Sequence, residues 1–217
     1  MRMKKIFLTI IISFLFATPV LAHQPRLIWQ NSGEIAIDQP QVSKAYYDEL
    51  SGAPRTYKLN LFEPAEIYMN VLVPDLPDSR KNFSFKVFQN GEEFLSMNGE
   101  TFVWEKFYEE FAGDDYWKGP EIKKVFEKGE YSIVVSNPEN SGKYVFASGD
   151  IESFPFGESV KTITALPELK KYFFEKSPLT AFNNYIGIVL VVLVFLVSGI
   201  IALGIFIFRK IKHKKRK

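Results

Sequence analysis

Short runs of alternating hydrophobic and polar residues fill the middle of the chain, whereas unbroken apolar runs occur near its two ends. The short runs are rich in Val, Ile, Phe and Tyr and are separated by Gly, Pro, Asn and Asp, the pattern of strands joined by turns. They read RLIWQ, EIAI, TYKLNLF, EIYMNVLV, NFSFKVF, EEFLSM, YSIVVS and KYVFASG. With few helical spacers between them, they predict a mainly β fold, an antiparallel β-sandwich or jelly roll.

Two local patterns refine this prediction. Asn90 and Gly91 separate two strand-like runs and predict a tight hairpin, because both central residues of such a turn need positive φ. Residues 100–121 depart from the strand pattern, since aromatic side chains recur there at the spacing of one helix face. These aromatic residues are Trp104, Phe107, Tyr108 and Phe111. The segment therefore predicts one amphipathic helix inserted in the β domain.

The two apolar runs predict membrane targeting. Residues 1–22 combine a basic start, an apolar stretch and the ending VLA, which is the order of a signal peptide cleaved after Ala22. Residues 185–208 carry no charge and would span about 36 Å as a helix, enough to cross a bilayer. Seven of the nine residues in 209–217 are Lys or Arg, which predicts a cytoplasmic tail.

The segment LPELKKYFFEKSP, which precedes the predicted span, has an apolar face and a proline near its start. It predicts a juxtamembrane helix, followed by a short hinge. The chain is thus expected to comprise a signal peptide, an extracytoplasmic β-sandwich, a juxtamembrane helix with hinge, a transmembrane helix and a basic tail. Their respective ranges are 1–22, 23–165, 166–184, 185–208 and 209–217.

Net charge and cysteine content narrow the classes of partner. The whole chain has a formal charge of +2, but three of its 27 basic residues lie in the signal segment and seven in the tail. The part between them holds 17 basic and all 25 acidic residues, a charge of −8. This sign argues against nucleic acid as a partner. The absence of cysteine excludes thiol chemistry and favours a bacterial or archaeal exported protein over a disulfide-rich ectodomain.

The stretch GEYSIVVSNPENSGKYVFASG, Gly129 to Gly149, resembles the last hairpin of pre-peptidase C-terminal domains, small exported β-sandwiches. The resemblance implies a jelly-roll-like accessory domain that assists secretion, adhesion or substrate contact and has no catalytic residues. In its order of segments the chain also resembles the early-secretory cargo receptors that carry Golgi-dynamics domains. Those proteins usually have a luminal cysteine pair and a coiled coil, and this chain has neither.

Candidate ligand-binding residues follow the predicted inserted helix, in the sequence GDDYWKGPE. Tyr116 and Trp117 come after Gly113, a residue type that ends helices, so they are expected in an exposed loop. There they could stack on sugar rings. Asp114 and Asp115, together with Glu121, offer the hard oxygen ligands that calcium takes, although their spacing is not that of an EF-hand loop and favours a solvated acidic turn.

Catalytic chemistry has little support in the sequence. His23 would be the first residue after cleavage, but a copper site there needs a second histidine, and the other one, His213, lies in the predicted cytoplasmic tail. We therefore expect no metal, no cofactor and no enzyme, but a single-pass plasma-membrane protein whose outer domain binds a protein or a cell-envelope polymer. The alternatives are a carboxylate-dependent, glycosidase-like envelope hydrolase and a calcium- or glycan-binding adhesion module.

Overall fold

The computed structural model of the protein describes residues 23–214 except residues 30, 32 and 111. The predicted signal peptide, residues 1–22, and the last three residues of the predicted tail lie outside the described residues. Within them, eleven strands precede four helical segments. The strands are β1 (Gln24–Leu27), β2 (Ile35–Ala36), β3 (Lys44–Ser51), β4 (Arg55–Leu61), β5 (Ala65–Pro74), β6 (Ser84–Gln89), β7 (Glu92–Met97), β8 (Glu105–Glu109), β9 (Asp114–Phe126), β10 (Gly129–Ser136) and β11 (Ser141–Ser148).

The strands form two packed sheets, which confirms the predicted mainly β sandwich. The six-stranded sheet has the order β1-β3-β11-β5-β9-β8, and the five-stranded sheet has the order β2-β4-β10-β6-β7. Neighbouring strands are antiparallel except for the pairs β1–β3 and β2–β4. The inner faces meet in one apolar core, because every second side chain of a strand points to the same side. In β4, for example, buried Tyr57, Leu59 and Leu61 alternate with exposed Lys58 and Asn60.

The predicted hairpin at Asn90-Gly91 is confirmed: it joins β6 to β7, and the two residues have φ angles of 53° and 83°. The strands of the Gly129–Gly149 stretch also form, but they do not pair with each other. β10 pairs with β4 and β6, whereas β11 pairs with β3 and β5 in the opposite sheet. Residues 137–140 connect them and pass from one sheet to the other. The Asn137 side chain closes this connection by binding the backbone N–H and C=O of Ser141.

The predicted inserted helix is wrong, since the described residues of 100–121 form the antiparallel hairpin β8–β9. The aromatic residues have the spacing of a helix face by chance, and each lies in a different environment. Trp104 is partly buried and packs against the core, Phe107 contacts Tyr116, and Tyr108 faces solvent. Trp104 precedes β8, while Phe107 and Tyr108 are neighbours on it, so their side chains point to opposite faces of the strand.

Strand β9 continues through Gly119 and Pro120, which the sequence pattern favours as a loop. The register with β5 shifts at this point, between Asn70 and Leu72. The buried amide of Asn70 donates to the carbonyl oxygens of Gly119 and Pro120 at 3.2 and 3.1 Å. A bulge and a side-chain donor thus accommodate a proline that cannot join the ladder.

Helical segments cover the outer face of the six-stranded sheet. Helix α1 (Phe156–Glu168) leads into a π-helical turn (Leu169–Phe173) and a 3₁₀ helix (Pro178–Phe182). The predicted juxtamembrane helix therefore begins at Phe156 and not near Pro167, which lies in its last turn. Apolar side chains from these segments pack on the sheet in a second core. This second core explains why β3 and β11 are buried on both faces.

The last helix, α2 (Tyr185–Lys214), contains the predicted span. Its stretch Gly187–Phe206 has a mean hydropathy of 3.2 over 20 residues, and it is the one helix among the described residues that is long and apolar enough to cross a membrane. At 1.5 Å per residue it measures about 30 Å, the thickness of the hydrocarbon layer.

Candidate functional site

The four residues expected in an exposed binding loop lie at the beginning of strand β9, so their predicted placement is corrected. Tyr116 is buried in the second core, and its hydroxyl oxygen lies 3.0 Å from that of Tyr47. Burial raises the pKa of both phenols. A ligand arriving from solvent cannot reach the Tyr116 ring. The sequence missed this burial because the residues that cover the ring, such as Phe174, come from the distant juxtamembrane segment.

Trp117 is only partly buried, but its contacts are occupied by the protein itself. The indole N–H donates to Asp75 at 2.8 Å. The ammonium groups of Lys81 and Lys106 lie 3.8 and 5.1 Å from the ring centroid. This cation–π arrangement covers the aromatic face, so the face is not open for stacking on a sugar.

The predicted acidic ligands do not come together. Asp114 is buried, Asp115 is exposed, and Glu121 lies seven positions along β9, where it accepts from Tyr68 and pairs with Lys118. Across the part of the chain that the structure describes, no three His, Cys, Asp or Glu side chains are grouped as a metal site would need. The arrangement of these carboxylates therefore offers no calcium cage.

Asp114 instead belongs to a buried ionic cluster that joins the sandwich to the segment before helix α2. Its carboxylate accepts from Lys170 at 2.5 Å and from Lys176 at 3.1 Å. Lys170 is 1% exposed and Asp114 is 0% exposed. Lys170 also donates to the carbonyl oxygen of Ala112 at 2.7 Å, and the same oxygen accepts from the Asn184 amide at 2.7 Å. The turn between β8 and β9 is thus fixed to the π-helical turn and to the residue that precedes α2.

Burial lowers the pKa of Lys170, while the hydrogen bond and the charge of Asp114 act in the opposite direction. A buried ammonium needs such a partner because its desolvation is costly. The cluster is therefore a structural joint, and its charges are satisfied internally.

Another buried carboxylate, Asp48, is also fully engaged. It accepts from Arg55 at 2.6 and 3.1 Å, from the Tyr144 hydroxyl at 3.0 Å and from the N–H of Glu49 at 2.8 Å. The Tyr144 hydroxyl lies 2.8 Å from that of Tyr57. This network ties β3, β4 and β11 together at one end of the sandwich.

The open surface that best fits a ligand is a groove of about 1000 Å³ on the outer face of the five-stranded sheet. We call it the sheet groove. The strand register places Ala36, Lys58, Ser132 and Phe88 side by side in one row across β2, β4, β10 and β6. These positions alternate with the buried residues of the core, so their side chains face outwards.

A second row lies next to the first. Asn60 and Glu130 are directly opposite each other on β4 and β10, and both are exposed. Phe62, just beyond the end of β4, lines the groove and is 81% exposed. The segment 37–40 forms a wall along the β2 side. The sheet groove therefore combines an open aromatic ring with planar amide and carboxylate groups.

Lys58 makes two polar contacts at the floor of the sheet groove. Its ammonium donates to the Ser132 hydroxyl at 2.9 Å and forms an ion pair with Glu34 at 3.1 Å. Sequence reasoning missed this site, because Lys58 and Asn60 fit the ordinary solvated face of a strand. A usable signal was Phe62, a large apolar residue placed beside a turn, outside the alternation that ends at Leu61.

Comparisons with known proteins give a weak structural likeness. No protein-family model matches the chain, and no curated protein matches it. Among solved structures, it is similar to the pre-peptidase C-terminal domain of collagenase from Bacillus anthracis, at 10% identity and a TM-score of 0.34 over 54% of this chain and 94% of that one. That domain is of the class that the Gly129–Gly149 stretch resembles.

Glycosidase structures give still weaker similarity. The catalytic domain of GH87 α-1,3-glucanase in complex with nigerose is 11% identical, with a TM-score of 0.29 over 50% of this chain and 22% of that one. A β-glucosidase from Paenibacillus barengoltzii is 14% identical, with a TM-score of 0.25 over 62% of this chain and 14% of that one. The chain thus spans less than a quarter of either glycosidase.

Proposed function

We propose that this chain is a single-pass membrane protein that holds a non-catalytic β-sandwich outside the cytoplasm and binds a glycan of the cell envelope in the sheet groove. The observation that carries the proposal is Phe62, a phenylalanine that is 81% exposed at a groove whose floor is otherwise polar. Ligand sites are concave and combine an apolar or aromatic surface with a few polar groups, and the sheet groove with Phe62 at its rim has this composition.

The chemistry of the sheet groove suits a pyranose ring. The C–H groups of a sugar face carry partial positive charge and pack on the electron-rich face of an aromatic ring. Hydroxyl groups at the ring edge both donate and accept, as the Asn60 amide and the Ser132 hydroxyl do, while Glu130 accepts and Lys58 donates. A neutral glycan also avoids the repulsion that an anionic polymer would meet at a domain of negative net charge.

The membrane arrangement follows from the two ends of the chain. A cleaved signal peptide over residues 1–22 would export the domain, helix α2 would anchor it, and the basic residues of 209–217 would stay in the cytoplasm. A reporter enzyme that is active only outside the cytoplasm tests this arrangement. Fused after Pro178 it should be active, and fused after Lys217 it should be silent. The reverse pattern would contradict the proposal.

Binding is tested with the full chain in lipid nanodiscs, titrated with soluble envelope polysaccharides that include α- and β-glucans and peptidoglycan fragments. Phe62→Ala should weaken binding of the best ligand about tenfold, because it removes the open aromatic ring on which the sugar packs. Phe156→Ala is the matched control, since Phe156 is 87% exposed but does not line the sheet groove. Equal affinity of the two variants would refute the site.

The same titration separates binding from hydrolysis. Glu130 and Asp38 are the carboxylates that line the sheet groove. Prolonged incubation with the bound glycan should leave it intact. Cleavage that is abolished by Glu130→Gln would replace the proposed binding function with a carboxylate-dependent hydrolase.

A further inference from the structure

Large apolar side chains are exposed on the sandwich side of the point where helix α2 begins. Tyr108 on β8 is 56% exposed, Leu179 on the 3₁₀ helix is 79% exposed, and Phe182 at the end of that helix is also exposed. We call these three residues the collar. They belong to two segments that lie about 70 residues apart in the sequence, and the fold brings both segments to Asn184.

Hydrogen bonds hold the collar against the start of α2. The Asn184 amide donates to the carbonyl oxygens of Ala112 and Ala181 at 2.7 and 3.0 Å. A Cβ atom placed on Gly113 would lie 3.2 Å from the Asn184 Cβ and 3.3 Å from the Tyr108 hydroxyl oxygen. The Tyr108 hydroxyl therefore lies within a few ångströms of Asn184, the residue directly before α2.

The last residue of the 3₁₀ helix, Phe182, lies against the first turns of α2. A Cβ atom on Gly187 would lie 1.6 Å from the carbonyl oxygen of Phe182, so the two backbones touch at a position that only glycine can occupy. Phe182 lines a cleft of about 300 Å³ together with Leu190 and Val194 of α2. The Phe182 ring is thus level with the apolar stretch of the helix.

These contacts fix the depth of the collar in a bilayer. The apolar stretch starts at Gly187, three residues after Asn184, which is about 4.5 Å along a helix. Asn184 and the neighbouring Tyr108 hydroxyl then lie in the headgroup layer, while Phe182 reaches the acyl boundary. Aromatic rings with one polar edge are enriched at this level of membrane proteins.

We propose that the collar inserts into the outer interfacial layer of the bilayer, so that the sandwich rests on the membrane and does not swing on a flexible stalk. The collar is continuous with the lipid-facing surface of α2, where Ile188 and Val189 are also exposed. A lipid surface can cover both at once, whereas a protein partner would have to displace lipid from the helix. This inference rests on the proposed crossing of the bilayer by α2, but it does not depend on what the sheet groove binds.

The absence of cysteine from the chain makes single-cysteine labelling a direct test. Tyr108→Cys carries an environment-sensitive NBD dye on the full chain in phosphatidylcholine nanodiscs that contain doxyl-labelled lipid. The label should be blue-shifted and quenched at least about twofold, as expected for a group in the interfacial layer. Leu179→Cys is a second position that should behave in the same way.

Phe62→Cys is the matched control, because Phe62 is exposed at the opposite end of the sandwich, next to the end of β4. Its label should show water-like emission without quenching. Tyr108 and Phe62 labels with the same emission and the same quenching would overturn the proposal. A blue shift at Tyr108 without quenching by doxyl lipid would also overturn it, since it would place a protein surface and not lipid over the collar.

Discussion

The buried ion pair between Lys170 and Asp114 allows a quantitative prediction about the joint between the sandwich and the segment before α2. Asp114→Asn keeps the shape of the side chain and removes its charge. The Lys170 ammonium then keeps the Ala112 carbonyl at 2.7 Å but loses its counter-charge at 2.5 Å. Lys176 loses its contact at 3.1 Å as well, but it can turn to solvent because it is partly exposed.

The magnitude follows from the burial of the remaining cation. Removing one partner of a fully buried ion pair costs about 3 to 5 kcal/mol, because the other charge is left desolvated and unpaired. In a protein of this size each kcal/mol lowers the melting temperature by about 2 to 4 °C, so Asp114→Asn should melt roughly 6 to 20 °C below wild type. Glu93→Gln is the control, since it breaks the half-exposed pair with Lys86 at 2.8 Å and should cost less than about 1 kcal/mol.

The loss of stability caused by Asp114→Asn should also depend on pH. Burial lowers the pKa of Lys170 from 10.5, and Asp114 opposes that shift, so the variant has a still lower folded pKa. Between the folded pKa and 10.5 the unfolded chain binds more protons than the folded one, and stability therefore rises with pH in that window. Because the folded pKa of Lys170 is lower in Asp114→Asn, this pH range begins at a lower pH in the variant than in wild type. Its deficit relative to wild type should shrink as the pH is raised from 7 towards 10.

Thermal unfolding of the full chain in nanodiscs, followed by tryptophan fluorescence at one scan rate, measures both effects. Trp29 stacks on Phe173 of the π-helical turn at 6.1 Å, so its emission reports the joint directly. If Asp114→Asn melts as Glu93→Gln does, or if its deficit is the same at pH 7 and pH 10, the joint does not depend on the buried charge pair.

Two further predictions concern packing and pH. A Cβ atom on Gly119 would lie 2.4 Å from the Trp104 ring, so Gly119→Ala and Trp104→Ala should each destabilise the fold, the latter by roughly 3 kcal/mol. The double variant should be strongly non-additive, because the clash disappears with the ring, and additive melting temperatures would contradict this contact. Burial lowers the pKa of His23 from 6.5 to about 4, so stability should fall as the pH drops from 6.5 to 4, where the unfolded chain binds the extra proton. His23→Gln should remove that part of the pH dependence, and an unchanged melting curve between pH 7 and pH 5 would refute the burial of His23.

The fold class was predictable from local patterns, whereas the pairing of strands was not. The alternation of hydrophobic and polar residues predicted which side chains of β4 and β10 point inwards and which outwards. The turn residues Asn90 and Gly91 predicted the hairpin that joins β6 to β7. The aromatic spacing around Trp104 matched a helix over only two turns, a window in which a short edge strand can produce the same spacing by chance. Tertiary contacts decided that segment.

The candidate sites were less predictable because they depend on residues that are distant in sequence. The burial of Asp114 requires Lys170, and the accessibility of the Trp117 face is decided by Lys81. Neither contact can be predicted from the residues that neighbour Asp114 or Trp117 in the sequence. The sheet groove arises from cross-strand neighbours such as Asn60 and Glu130, whose adjacency depends on the strand register.

The joint and the sheet groove lie at opposite ends of the sandwich, and this separation connects the two proposals. Asp114 begins β9 beside the segment before α2, and Phe126 ends it next to Ala65, a few residues beyond Phe62. Twelve residue steps of about 3.3 Å place these ends about 40 Å apart. A sandwich that is fixed to α2 by a buried ion pair and rests on the bilayer by its collar would therefore present Phe62 at a set height. A polymer at that height would meet the groove without the entropic cost of ordering a mobile stalk.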